Sequence, residues 1–91
     1  MNNIRRKFTD ERSLEVFKEI FPKATIEYGD GFLGADKQMK FSMRGRTSLS
    51  MYPIEGTREY RIFEFRLLHN SLAFTGDPVG ALNFLDRWYK G

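Results

Sequence analysis

The side chains with most to offer chemically lie close together in the middle of the chain. Between Lys37 and Ile54 there are four bases, Lys37, Lys40, Arg44 and Arg46, and no acid. From Gln38 to Arg44 the residues alternate, so Lys40, Ser42 and Arg44 share one side of an extended chain, and Met39, Phe41 and Met43 share the other. Gly45 and Arg46 form a tight turn, and Thr47 to Tyr52 returns with Ser48, Ser50 and Tyr52 beside the polar set and Leu49 and Met51 beside the apolar one. The next extended stretch, Arg58 to Leu68, reads REYRIFEFRLL. Phe63, Phe65 and Leu67 fall on one face and are expected to turn inward, which leaves Tyr60, Glu64 and Arg66 on the polar side. Arginine and lysine neutralise phosphates, hydroxyls bond phosphate oxygens, and tyrosine rings stack on unpaired bases. The expected nucleic-acid or partner-binding residues are therefore Lys40, Arg44, Arg46, Ser48, Tyr52, Tyr60 and Arg66. The bland alternative is a solvated sheet surface on which Glu64 pairs across strands with Lys40 or Arg44.

Other constellations point to no reaction. Gly29 to Gly34 matches GxGxxG, but no helix opens at these glycines, as a dinucleotide site requires, and the downstream motifs of a kinase are missing. Gly29 and Gly31 more simply supply positive φ in a turn between antiparallel strands. The lone histidine, His69, has no cysteine to work with, because the chain contains none, and Ser71 two residues on does not make a triad. The acids sit mostly on helix surfaces, in turns and at caps, and nothing in their spacing gathers Asp30, Asp36 and His69 into a metal site. The expectation is a protein without catalytic, cofactor-binding or metal-ligating residues, and not an enzyme.

The elements that must carry the polar side follow from periodicity. A helix is expected from about Asp10 to Phe21, capped by Thr9 or Asp10 and stopped by Pro22, with Leu14, Phe17, Ile20 and Phe21 as its apolar stripe. Ala24 to Tyr28 alternates as a strand, with Ile26 and Tyr28 inward. After the three stretches above, Asn70-Ser71 breaks the chain, and Leu72 to Thr75 reads as a short edge strand. Asp77-Pro78 then opens a second helix with Ala81, Leu82, Leu85, Trp88 and Tyr89 on its buried side. The fold class is α+β: an antiparallel four- or five-stranded meander sheet with an N-terminal and a C-terminal helix packed on one face. Residues 1–8, with Arg5, Arg6 and Lys7, read as a flexible basic arm, and residues 9–91 as a single domain.

Ninety-one residues leave room for one core. The net charge of +3 is concentrated in residues 37–66, where seven bases meet three acids. No apolar run approaches the roughly 18 residues of a membrane span, and the N-terminus lacks a secretory apolar stretch, so a cytoplasmic location and no membrane partner are expected. Two functions fit: a small non-catalytic domain binding DNA or RNA through the basic, tyrosine-bearing face, or a protein-binding module, such as a small inhibitor or adaptor, using that face or an edge strand. Self-association as a homodimer through the same face is a third expectation.

Overall fold

The computed structural model describes residues 9–30 and 37–91. The basic arm, and most of the glycine-rich loop, lie outside the described residues. Helix α1 spans Glu11–Ile20, and α2 spans Pro78–Lys90. Between them run β1 (Thr25–Gly29), β2 (Gln38–Ser42), β3 (Ser48–Pro53), β4 (Tyr60–Arg66) and β5 (His69–Gly76). All neighbours pair antiparallel in the order β1-β2-β3-β4-β5, a five-stranded meander with β1 and β5 at its edges.

Local chemistry accounts for the helix ends. The Asp10 carboxylate accepts from the Ser13 N–H at 2.9 Å and Asp77 from the Gly80 N–H at 2.8 Å, so each helix starts with a capped turn. Pro78 occupies the first helical position, where its missing N–H costs nothing. Gly91, at φ +84°, closes α2 by donating its N–H to the Arg87 carbonyl. The chain reverses at Gly45 and Gly56, both with positive φ. Gly29 does not share that conformation: it is the last residue of β1, and Gly31 lies outside the described residues.

Both helices cover the same side of the sheet. The core joins Phe17 of α1 and Phe21 at its C-cap, Ile26 of β1, Met39 and Phe41 of β2, Leu49 and Met51 of β3, and Ala81, Leu85 and Trp88 of α2. Phe41 is its centre, with ring centroids 5.3 Å from Phe17 and 6.3 Å from Trp88 in edge-on packing. Among the described residues no helix is long and apolar enough to cross a membrane.

One strand departs from the expected facing. Tyr60 and Ile62 of β4 are fully buried in the core, and Phe63 and Phe65 point to the opposite, open side. Register fixes this: Ile62 lies opposite Met51, and Phe63 opposite Ser50. The cause is coverage. The helices lie over the first half of β4, which buries Tyr60 and Ile62 at about 1.5–3 kcal/mol per large side chain, while Glu64 and Arg66 of the same face run on beyond them. The β4–β5 connection also differs. The strand does not break at Asn70-Ser71; Arg66 pairs with His69 around a two-residue turn of Leu67 and Leu68, and β5 begins at His69. A bulge opposite Ile62 and Phe63 leaves Ala73 as the extra residue in β5.

Candidate functional site

The seven residues expected to share one face divide into three groups. Lys40, Ser48 and Tyr52 do lie on the open face. Tyr60 does not: its ring is in the core beneath α2, so it offers nothing to a ligand. Arg66 has the same parity along β4 as Tyr60 and therefore lies on the helix-bearing side. Arg44 and Arg46 belong to the β2–β3 turn, beyond the strands. The slip of β4 brings other residues to the open face in exchange: Phe63 stands opposite Ser50, Phe65 opposite Ser48 and Arg61 opposite Tyr52. The Tyr52 and Phe63 rings meet edge to face at 6.0 Å. Lys40 faces Glu27 across the β1–β2 pair, which offsets its charge. The open face is thus more aromatic and less basic than expected.

The bases gather instead at one end of the sheet. In a meander, alternate turns lie at the same end, so the β2–β3 turn and the β4–β5 turn are neighbours, about 10 Å apart by two strand spacings. The last turn of α2 reaches the same end. Trp88 Nε1 donates to the Thr47 carbonyl at 2.8 Å, and Arg46 Nε donates to the Trp88 carbonyl at 2.9 Å. These two turns and the end of α2 carry Arg44, Arg46, Arg66, Arg87 and Lys90, all exposed, against Glu64 and Asp86. Both acids are engaged: Glu64 accepts from the Thr47 hydroxyl at 2.6 Å and lies 3.3 Å from Arg66 Nε, and Asp86 pairs with Lys90 at 3.2 Å. Glu64 reaches neither Lys40 nor Arg44, as the expected cross-strand pairing had it; the reversed facing of β4 turns it to the other side.

The far end is acidic. The β3–β4 turn, the two helix starts and the base of the β1–β2 loop hold Asp10, Glu11, Asp30, Glu55, Glu59 and Asp77, against Arg12, Lys37 and Arg58. Lys37 hydrogen-bonds Asp30, and that bond and its charge raise the Lys37 ammonium above its ordinary pKa. Asp30 and His69 lie at opposite ends of the sheet, so they do not share a metal site.

At the tip of the β4–β5 hairpin, inside the basic end, stand Leu67 and Leu68, 88% and 95% exposed. Leu67 has φ +51°, a left-handed conformation that glycine or asparagine normally supplies in a two-residue hairpin. Sequence reasoning missed these two leucines and the open-face aromatics Phe63 and Phe65. The one signal available was that Tyr60 and Ile62 precede two charged residues of the same parity, as when a strand outruns its cover. The chain matches no known protein-family model, no curated protein and no solved structure.

Proposed function

We propose that this chain is a small non-catalytic nucleic-acid-binding domain that meets the phosphate backbone with the end of the sheet carrying Arg44, Arg46 and Arg66. The observation behind the reading is the separation of charge: seven exposed bases and three acids at one end, counting Lys18, Lys23 and Glu19 at the adjoining end of α1, and six acids and three bases at the other, among the described residues. Such a dipole steers an anionic chain to one end of the molecule and repels it from the other. The adjoining open face supplies Ser48, Tyr52, Phe63 and Phe65, hydroxyl and aromatic groups suited to sugar–phosphate and base contacts.

The test is titration of labelled single- and double-stranded oligonucleotides at two salt concentrations. Affinity for a duplex falls with salt as the bound counterions are released, with a logarithmic slope near −0.9 per neutralised phosphate. Arg44→Gln and Arg66→Gln should each weaken binding and lower that slope by about 1. Arg46 is left intact, because it also holds the end of α2. Unchanged affinity in both variants removes the proposal.

A second reading rests on β5. This edge strand runs eight residues, His69–Gly76, without an Asp, Glu, Lys or Arg, and so lacks the charges that usually keep an edge from pairing. It fits a protein-binding module that adds a partner's strand to the sheet. Affinity purification that recovers one stoichiometric partner after nuclease treatment supports this reading, and recovery of nuclease-sensitive material alone supports the first.

A further inference from the structure

We infer that the Leu67–Leu68 tip is a wedge that enters between neighbouring base pairs of double-stranded DNA and bends it. This rests on the nucleic-acid reading and adds to it the kind of nucleic acid and the deformation imposed.

The argument begins with a conflict between backbone and side chain. A two-residue hairpin turn favours glycine, asparagine or aspartate, which tolerate positive φ. The tip carries leucine at both positions, with Leu67 held at φ +51°. Neither leucine gains burial in return, since both are almost fully exposed. A local rule broken without a compensating gain in the fold marks a position whose side chain acts outside it.

The surroundings then select the partner. Arg66 and His69 flank the two leucines directly, and Arg44 and Arg46 stand on the neighbouring hairpin. A neutral apolar pocket wide enough for this tip would strip water from guanidinium groups and give them nothing to bond. A base-pair step meets both requirements at once. Its faces are apolar, and its rim is two rows of phosphates. Leucine is among the side chains that unstack such steps and kink a duplex, while the bases beside it bind the backbone. The tip is also narrow, two strands about 4.8 Å apart, so it reaches a groove without the bulk of the sheet. Pyrimidine–purine steps such as TA, which unstack most easily, are the expected points of entry.

The experiment uses duplexes of roughly 20–30 base pairs, one with a central TA step and one with a central A-tract, each labelled at both ends for resonance energy transfer. On binding the intact protein, the TA duplex should gain transfer corresponding to a bend of about 20–90°, and the A-tract duplex should gain less. Leu67→Ser/Leu68→Ser should still bind, within about tenfold, through its unaltered bases, but leave transfer at the free-duplex value. Leu67→Gly should reduce bending without lowering the melting temperature, because glycine suits φ +51°; this separates loss of the wedge from loss of the fold. Binding without bending by the intact protein, or equal bending by the serine variant, overturns the inference and leaves the nucleic-acid reading standing. Failure to bind any duplex or single strand overturns both. A nuclease-resistant protein partner that the serine variant loses would overturn it by assigning the tip to a protein pocket.

Discussion

The facing of β4 decides where every candidate residue lies, and a pair of truncations tests it. Ile62 has no exposed surface and sits between Met51 on β3 and Phe74 on β5. Cutting it to alanine removes three carbons from a closed site, which costs about 2–5 kcal/mol because the walls relax only partly. Phe65 is 46% exposed on the open face, so its truncation loses only about half an aromatic side chain's burial and leaves no closed cavity. At about 25 cal/mol per Å² that is roughly 1–2 kcal/mol. For a domain of this size each kcal/mol moves the melting temperature by about 4–8 °C. Ile62→Ala should therefore melt about 10–30 °C below the parent, and Phe65→Ala about half as far. Thermal and urea unfolding followed by circular dichroism measure both. If Ile62→Ala proves too unstable to purify, Ile62→Val keeps the comparison open through the cost per carbon removed, about 0.5–1.5 kcal/mol for its one carbon against roughly 1–2 kcal/mol for the whole ring lost in Phe65→Ala. Should Phe65→Ala cost as much as Ile62→Ala, the facing is reversed, and the division into an aromatic open face and a basic end falls with it.

Asp77→Ala should lower stability by about 1 kcal/mol, read as a shift in the urea midpoint, because the Gly80 N–H loses its acceptor at the start of α2; an unchanged midpoint would mean the cap contributes nothing. The Lys37–Asp30 pair should make stability fall in alkali. The Lys37 pKa is raised from 10.5 in the folded state, so its contribution is fully present below the unfolded value and disappears as pH rises through the folded one. Lys37→Met should lose that part of the alkaline dependence in denaturation midpoints measured up to about pH 12, and an identical profile would refute the assignment.

What could be read from sequence divides along a physical line. The helices and the first three strands offered one apolar parity each. Phe17 and Phe21, Met39 and Phe41, and Leu49 and Met51 all lie in the core as alternation and helical spacing require. In β4 both parities are apolar: Tyr60 and Ile62 on one face, Phe63 and Phe65 on the other. Counting favoured the second set because it extends to Leu67. The structure selects the first, since burial depends on which half of the strand a helix covers, and that is tertiary information. The Leu67–Leu68 turn was illegible for a different reason, having neither glycine nor asparagine to announce it. The basic end was illegible because it needs strand order as well as facing. Lys40, close in sequence to Arg44, points to the open face, whereas Arg87 and Lys90, far away in sequence, stand beside it.

The basic end is also held in place by a single run of hydrogen bonds. From α2, the Trp88 indole reaches the Thr47 carbonyl, and Arg46 returns a bond to the Trp88 carbonyl. From the same turn the Thr47 hydroxyl reaches Glu64, and Glu64 in turn pairs with Arg66. The run therefore ties the end of α2, the β2–β3 turn and the outer half of β4 together. Arg46 meets the negative end of the α2 dipole, where a cation is stabilised. Glu64, an acid within a basic cluster, lowers the local potential, yet it holds Arg66 beside it at the end of β4. With the Lys90–Asp86 pair, three of the five bases are restrained before any ligand arrives, so less side-chain freedom is lost on binding. Arg44, by contrast, projects from its turn without a partner among these bonds. The arrangement combines held charges that set the approach with a base that can adjust to a phosphate, and it places one held base, Arg66, at the end of the strand leading to Leu67 and another, Arg46, on the neighbouring hairpin.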